Sequence, residues 1–279
     1  MVSVCVMLYK IDSIVDSGSG RRAVEVADGP DWVVEEPSQI IGPDAFSPRQ
    51  LPLRQLEKPR GGAVHLWYLD FDHLSNPMHP GGGTASEVFS FTQQRTVRRF
   101  YLRLLLGAYL GLPGKDIHIG RRIKGRPELD TAQSKDELNF SVARSGSCYL
   151  IGVSSGAPVG VDLEIAARRS GKPLALARRY FSKAETAALS VLDKDELQRA
   201  FMHAWACKEA VVKASGMGIA NQLCRFTVDV NPANPPAILD MLDDDHGAWR
   251  LAMAEPAQGA VAAVAIRQKE VWLEGFSLS

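Results

Sequence analysis

The amino-acid sequence predicts a mixed α+β protein of two similar lobes, and two observations carry this prediction. Short runs rich in β-branched and aromatic residues alternate with Gly- and Pro-containing turns, a pattern typical of strands. Each half of the chain also contains one long segment with apolar residues at helical spacing. We therefore expect an N-terminal lobe over 61–158 and a C-terminal lobe over 159–279, each with a small, mainly antiparallel sheet packed on a long helix.

The N-terminal part begins with an irregular extension. Residues 1–60 are rich in Gly, Pro, Ser and charge, which favours irregular structure with at most a short strand at 2–9. AVHLWYLDFD at 63–72 predicts the first strand. A helix follows from about Glu87 to Gly111, because Gly and then Pro113 are helix-ending signals.

The middle of the chain reads as β structure. ELNFSV at 137–142 and SCYLIGV at 147–153 are predicted strands. SSGAP at 154–158 predicts a turn, after which VGVDLEI at 159–165 is expected to return as the hairpin partner of 147–153.

The C-terminal part predicts two helices and a second set of strands. Ser182 and Glu185 form a capping-box pattern that opens a helix to about Leu192. A longer helix is expected from about Asp195 to Ser215, with Gly216 suited to its C-terminal cap. The last segments predict a hairpin over 248–266 and a final strand in VWLEGFSL.

Composition excludes several classes of function. The chain has 279 residues, 46% of them hydrophobic, a formal net charge of zero and no apolar run near the ~20 residues that span a bilayer. The start, MVSVCVMLY, lacks a basic lead-in, and the four cysteines lie far apart with no CxxC pair. We therefore expect a cytoplasmic protein with reduced thiols, no membrane contact, no zinc site and no nucleic-acid partner.

Basic residues are concentrated in one window of the sequence, from Arg95 to Arg126. Nine cations fall between Arg95 and Arg126 against a single acid, Asp116. Such a block indicates a local anionic partner, although a solvated helix face would show the same pattern. The cations are Arg95, Arg98, Arg99, Arg103, Lys115, Arg121, Arg122, Lys124 and Arg126.

Carboxylates in GVDLE and in WACKEAVVKASG suggest a site for a hard cation. On a strand, Asp162 and Glu164 project from one face, which is also what a wet edge strand would show. Glu209 lies close to the apolar face of its predicted helix, so it could point toward that strand. Three carboxylates suit Mg²⁺, which takes its other ligands from waters and substrate phosphates. Lys208 and Lys213 would then flank a metal-bound phosphate, although Glu209 and Lys213 also have the spacing of an ordinary surface ion pair.

The same two motifs, about 40 residues apart with RRYFSKAE between them, resemble the Sfp-type 4′-phosphopantetheinyl transferases. PVGVDLE and the helical WxxKEAxxK pattern match the family signature together. Upstream, KGRPEL at 124–129 and the Arg-bearing VRRFYLRLLLGAYLG resemble further elements of the family. The resemblance covers roughly residues 63–279.

The resemblance implies a fold, a reaction and a set of roles. The fold is a pseudo-dimer of two α+β halves with coenzyme A in the cleft, which allows an active monomer. The reaction moves phosphopantetheine from coenzyme A to a serine of an acyl- or peptidyl-carrier protein and releases 3′,5′-ADP. The implied Mg²⁺ ligands are Asp162, Glu164 and Glu209, with Glu209 also the base. The implied coenzyme ligands are Lys208, Lys213, Arg98, Arg99, Arg126, Arg144 and Ser145.

One segment departs from the family pattern. The family's FNxSHSG is replaced by FSVARSG, so Ser141 stands for Asn, Ala143 for the first Ser and Arg144 for His, while Ser145 is retained. Arginine keeps a phosphate-binding cation but loses the pH sensitivity of histidine. The departure leaves open a coenzyme-A-binding regulatory homologue without turnover. An unrelated Mg²⁺–nucleotide enzyme with an acidic strand is a third possibility, and Asp70 and Asp72 are interpreted as a polar strand end.

Overall fold

The computed structural model describes residues 40–78, 82–87, 91–121, 127–133, 138–165, 171–216 and 222–278. The helices are α1 (Phe91–Leu110), α2 (Pro173–Tyr180), α3 (Lys183–Ser190) and α4 (Lys194–Ser215). The strands are β1 (Phe46–Arg49), β2 (Ala63–Asp70), β3 (Ile119–Arg121), β4 (Pro127–Leu129), β5 (Leu138–Ser145), β6 (Cys148–Ser155), β7 (Val159–Ile165), β8 (Phe226–Val228), β9 (Ile238–Met241), β10 (Arg250–Ala254), β11 (Ala260–Ile266) and β12 (Trp272–Leu278). Short 3₁₀ turns lie at Pro43–Ala45, Gly114–Asp116, Leu223–Arg225 and His246–Ala248.

The first large sheet has the strand order β1-β12-β2-β6-β5. Its β2, β6 and β5 pair antiparallel, whereas β12 pairs parallel with both β1 and β2. Helix α1 shares a hydrophobic core with one face of this sheet, in which Tyr101, Leu105 and Leu106 meet Trp67 and Ile151. This unit corresponds to the strands around one long helix that the sequence predicts for the first half.

The second sheet is a three-stranded antiparallel unit in the order β10-β11-β7. Helix α4 packs on it, and its predicted core residues Phe201, Ala204 and Val212 are buried there against β10 and β11. The predicted ends of α4 are confirmed: Asp193 caps the N-terminus, and Gly216 adopts the left-handed conformation with φ of 69° at the C-terminus. The α+β class is therefore confirmed by two sheets with a long helix each.

The two sheets pack face to face through a common core. Leu66 from β2 and Leu150 from β6 meet Val161 and Leu163 from β7 and Val264 from β11. Gly152 of β6 is required at this contact, because a Cβ there would lie 2.3 Å from the Val161 side chain. As a result β7 is held between the first sheet on one side and α4 on the other.

Two expectations for the strands need correction or extension. The predicted hairpin between 147–153 and 159–165 is wrong, because β6 pairs with β2 and β5 whereas β7 pairs with β11. The turn at 154–158 instead carries the chain from one sheet to the other. The final strand does form as β12, but it enters the first sheet between β1 and β2. β1 lies in the segment 1–60 that was predicted to be irregular, so that prediction is wrong at Phe46–Arg49, where pairing with β12 orders the chain. The boundaries of the two lobes stay a prediction, and the proposed strand at 2–9 lies outside the described residues.

Within the described ranges, we found no helix long and apolar enough to cross a membrane.

Helix α2 was not anticipated from the sequence; it begins at Pro173 and packs against α3 and α4. The capping box predicted for α3 is confirmed, with Ser182 Oγ accepting from the Glu185 amide and the Glu185 side chain accepting from the Ser182 amide.

Candidate active site

Strand β7 separates its apolar and acidic residues onto opposite faces. Val161 and Leu163 are buried in the core between the sheets, so Asp162 and Glu164 project to the other face, where α4 lies. Asp162 is itself buried, with 7% of its surface exposed. The predicted alternation in GVDLE is therefore confirmed, and the wet edge strand that it could also have indicated does not describe Asp162.

Gly160 brings α4 into direct contact with β7. A Cβ at this position would lie 1.9 Å from the Ala210 carbonyl oxygen and 2.4 Å from the Ala214 amide nitrogen, which no real side chain could occupy. The small residues Ala210 and Ala214 provide the matching surface on the helix. Because the backbones approach this closely, side chains of Glu209 and Lys213 reach the polar face of β7.

Lys213 binds the buried carboxylate of β7. Its ammonium donates to Asp162 Oδ1 at 2.6 Å and to the Val161 carbonyl at 3.1 Å. The other oxygen, Asp162 Oδ2, is buried and accepts no hydrogen bond from the described residues. Burial raises the pKa of Asp162, and Lys213 opposes that rise. Asp162 thus presents one unsatisfied oxygen in a buried position, which is an unusual arrangement that favours a further cationic or hydrogen-bonding ligand.

Glu209 is the second buried carboxylate at this point. Burial, with repulsion from Asp162, raises the pKa of Glu209 to about 6, and Lys213 partly offsets the rise. The two carboxylates and the ammonium are thus close enough to interact. The structure therefore brings together Asp162, Glu209 and Lys213, and Glu209 and Lys213 are not merely a pair on an exposed helix face.

The third predicted metal ligand, Glu164, is more exposed than Asp162 and Glu209. Glu164 is half-exposed on the same face of β7 as Asp162. Among the described residues no three Asp, Glu, His or Cys side chains converge closely enough to form a ready-made metal centre. The donor chemistry nevertheless fits Mg²⁺, because this ion commonly uses one or two carboxylates and completes its shell with waters and substrate phosphates.

The structure does not bring Lys208 to this cluster. Its side chain is fully buried, and its ammonium donates to both Glu185 oxygens at 2.6 and 2.8 Å and to the Phe226 carbonyl at 2.6 Å. The ammonium also lies 4.3 Å from the centre of the Phe226 ring. All its donors are used inside the protein, so the predicted role of Lys208 as a phosphate ligand does not fit this arrangement.

Two of the predicted phosphate-binding arginines are neighbours. Burial and then the nearby Arg144 guanidinium lower the pKa of Arg98, which places the α1 and β5 side chains within electrostatic range. Arg99 lies elsewhere, in a groove on the outer side of α1 that Arg103 and Lys115 also line. Arg126 lies outside the described residues. Arg98 is half-buried and Arg144 is exposed, and two like charges within electrostatic range of each other favour an anionic ligand between them.

Ser145, predicted as a coenzyme ligand, joins the two sheets instead. Its hydroxyl accepts from the Ile165 amide at 3.3 Å, and that of Ser141 accepts from the Val161 amide at 3.1 Å. Both serines are buried on β5. These hydroxyls satisfy amides along the edge of β7 that pairs with none of the described strands, so they hold the strand that carries Asp162. The sequence signal for this was the two-residue alternation of FSVARSG, which places Ser141 and Ser145 on one face and Arg144 on the other.

Comparison with known proteins adds evidence from outside the structure. A family model described as the 4′-phosphopantetheinyl transferase superfamily matches residues 158–265, which include Asp162, Glu209 and Lys213. The 4′-phosphopantetheinyl transferase HetI of Nostoc sp. is 30% identical over 213 residues, covering 73% of this chain and 87% of HetI. The chain belongs to the 4′-phosphopantetheinyl transferase superfamily.

Two further relatives are similar to this chain over a shorter stretch. The putative 4′-phosphopantetheinyl transferase slr0495 of Synechocystis sp. is 34% identical, with 57% of this chain and 63% of that protein covered. The 4′-phosphopantetheinyl transferase Sfp of Bacillus subtilis is 29% identical, with 52% and 61% covered. The chain thus matches less than two thirds of the length of these two relatives, whereas it matches 87% of the length of HetI.

Proposed function

We propose that this protein transfers the 4′-phosphopantetheine arm of coenzyme A to a serine of an acyl- or peptidyl-carrier protein and releases 3′,5′-ADP. The observation that carries the proposal is the buried cluster of Asp162, Glu209 and Lys213 between β7 and α4, within the segment that matches the family model. Two carboxylates beside one ammonium suit a reaction in which a proton is removed and negative charge develops on phosphate.

Glu209 is the proposed general base. The carrier serine oxygen forms a bond to the phosphorus on the pantetheine side of the diphosphate, and the bond from that phosphorus to the bridging oxygen breaks. The electron pair leaves with 3′,5′-ADP, and the serine proton passes to Glu209, directly or through a water. In the metal-free protein, burial and Asp162 raise the pKa of Glu209 to about 6, so that Glu209 is mostly ionised at neutral pH and able to accept a proton.

Asp162 and Glu209 are the proposed Mg²⁺ ligands, with Glu164 as the third. The unsatisfied Asp162 Oδ2 supports this assignment, because a buried carboxylate oxygen without a donor suits a hard cation. When bound, Mg²⁺ would offset charge on the diphosphate. Lys213 binds Asp162 in the described arrangement, and we expect its ammonium to turn to a diphosphate oxygen when coenzyme A is present.

Arg98 and Arg144 are the proposed ligands of a distal phosphate of coenzyme A. The lowering of the Arg98 pKa by Arg144 supports this role, since a phosphate would relieve the repulsion between the two guanidiniums. Arg144 would replace the histidine of the family pattern without its titration near neutral pH. Asp162, Glu209 and Lys213 come from one chain, which is consistent with the expectation of an active monomer.

The proposal is tested by intact-mass spectrometry of apo carrier proteins incubated with the protein, coenzyme A and Mg²⁺. We expect a mass gain of one phosphopantetheine on at least one carrier from fatty acid, polyketide or peptide synthesis, and no gain when EDTA replaces Mg²⁺. Asp240→Asn changes an exposed acid on β9 and is the matched control for substitutions of Asp162 or Glu209. This variant should transfer phosphopantetheine to the carrier at the parent's level. Binding of coenzyme A without transfer to any carrier would instead favour the regulatory alternative.

A further inference from the structure

Glu185 is the centre of a buried polar network that the transfer reaction described above does not use. Only 1% of its surface is exposed. Its Oε1 accepts from Lys208 Nζ at 2.6 Å and from the Val228 amide at 2.8 Å. Its Oε2 accepts from Lys208 Nζ at 2.8 Å and from the Ser182 amide at 2.7 Å. One carboxylate therefore binds donors from α4, from β8 and from the N-terminal turn of α3.

Lys208 is correspondingly fixed at the other end of the pair. Its third donor is used by the Phe226 carbonyl at 2.6 Å, and Phe181 and Phe226 surround the ammonium at 5.3 and 4.3 Å from their ring centres. An ammonium with all three donors engaged in defined directions cannot shift without breaking a hydrogen bond in a buried position. The pair is therefore directional, unlike an apolar contact.

The position of this pair on α4 links it to the site. Lys208 immediately precedes Glu209, so the two side chains leave the helix about 100° apart. The contact of Gly160 with Ala210 and Ala214 determines how closely α4 approaches β7. Apolar contacts are not directional, so they restrict the rotation of a helix about its axis less than hydrogen bonds do. A polar anchor at residue 208 restricts that rotation, and hence the direction in which Glu209 points relative to Asp162.

Stability alone does not account for a charged pair here. Buried ion pairs are often no more stabilising than well-packed apolar residues of similar volume, because desolvation offsets the attraction. What the pair supplies beyond packing is a preferred orientation, which is the property a base beside a buried carboxylate needs.

We propose that Glu185 is a positioning residue for the transfer reaction, acting through Lys208 to set the orientation of α4 at Glu209. This inference rests on the proposed function. It concerns a role for Lys208 different from phosphate binding, because the ammonium is turned away from Asp162, Glu209 and Lys213 and toward α3 and β8.

The decisive variant replaces both partners by apolar residues of similar length, Glu185→Met with Lys208→Met. A purely structural pair would be replaced without loss of rate in a protein that still folds. A positioning pair predicts a folded double variant with kcat lowered by about 100-fold, the order expected for a misplaced catalytic group. The KM for coenzyme A should change by a smaller factor than kcat, because Arg98 on α1 and Arg144 on β5 are not in this network and Lys213 is the proposed phosphate ligand that α4 carries.

Ser182→Ala is the matched control. It removes the hydroxyl that caps α3, accepting from the Glu185 amide at 3.2 Å, but leaves the backbone amide that donates to the Glu185 carboxylate. This variant is expected to lower the melting temperature while kcat stays within twofold of the parent. A comparable loss of kcat in Ser182→Ala would contradict a specific role for the Glu185–Lys208 pair.

A second variant and a second readout keep the inference testable if the double variant does not fold. Glu185→Gln keeps the volume but presents an amide donor to the Lys208 ammonium, so kcat should fall at least tenfold, with a smaller change in KM. Mn²⁺ affinity, measured by electron paramagnetic resonance without coenzyme A, should weaken at least fivefold in the folded variants. Parent-like kcat and Mn²⁺ affinity in Glu185→Gln would overturn the inference, whereas absence of transfer by the parent protein would overturn the proposed function alone.

Discussion

At the scale of single residues, the site places two buried carboxylates beside one partly exposed ammonium. Asp162 and Glu209 are 7% and 8% exposed, and Lys213 is the ammonium that offsets their charge. The raised pKa of both carboxylates follows from this burial. Such an arrangement costs stability and is commonly retained for function.

Because burial of the ionised Glu209 carboxylate lowers the free energy of unfolding, we predict that Glu209→Gln stabilises the metal-free protein at alkaline pH. A folded-state pKa of about 6, above the ordinary 4.5, means that the folded protein binds the proton more tightly than the unfolded chain. Glu209 therefore weakens folding by about 2 kcal/mol above pH 6 and not below pH 4.5. Urea unfolding in EDTA should show a higher free energy of unfolding for Glu209→Gln at pH 7.5 and no gain at pH 4. An equal difference at both values, or none at pH 7.5, would argue against the buried ionised carboxylate.

The sequence predicted which residues lie near one another in the candidate site better than where each side chain points. Glu209 and Lys213 could be assigned because the spacing of the motif and the DLE strand constrain the same face. The direction of the Lys208 side chain could not be predicted, because its partner Glu185 lies 23 residues earlier. In the sequence, Glu185 belongs to a capping box, which predicts only the start of a helix. Similarly, Ser145 fits a pattern for coenzyme binding, yet its hydroxyl binds the Ile165 amide.

At the scale of elements, the contact of α4 with β7 brings the motifs together. Gly160 and the facing alanines allow the helix backbone to lie directly on the strand, which a sequence does not reveal without knowledge of what packs on what. The helix itself was predictable, since its caps and apolar face are local properties. The pairing of β7 with β11 could not be predicted, because β6 and β7 are adjacent in sequence and give no local sign that they belong to different sheets.

Gly160→Ala is therefore predicted to impair both folding and transfer. The new methyl group would meet the backbone of α4, which has no flexible side chain to move aside. We expect a loss of about 2–3 kcal/mol in the free energy of unfolding, as for an overpacked core, together with reduced transfer because α4 moves away from Asp162. Gly171→Ala is the control, since a Cβ there has nothing within 4 Å and should change stability by less than about 0.5 kcal/mol. Equal effects of the two substitutions in chemical denaturation would contradict the close contact.

At the scale of the whole molecule, the C-terminal strand ties the ends of the described chain together. β12 lies between β1 and β2, so residues near the C-terminus complete a sheet built mostly from the first half. Gly275 makes room for the Phe46 ring, since a Cβ there would lie 2.9 Å from it. The strand itself was predictable from VWLEGFSL, but its place was not, because parallel pairing across more than two hundred residues leaves no local pattern.

Removing β12 is predicted to unfold the first sheet rather than trim its edge. A chain ending at residue 270 would leave the inner edge of β2 unpaired and uncover apolar residues such as Trp67, which stacks on Phe276 at 4.7 Å between ring centres. We expect loss of the cooperative thermal transition and strong binding of a hydrophobic dye. A cooperative transition within a few degrees of that of the full chain would show that β12 is dispensable.

The most direct test of the central claim is the single-turnover rate of transfer to an apo carrier by the parent and by Glu209→Gln, measured beside the dissociation constant for coenzyme A. If Glu209 is the base in a site with Asp162 and Lys213, the rate should fall by about 10²–10⁴-fold, the usual contribution of a positioned base. Coenzyme A affinity without metal should stay within about fivefold, because the proposed phosphate ligands are unchanged. A Glu209→Gln variant that transfers phosphopantetheine at the parent's rate would contradict the assignment of this cluster as the active site.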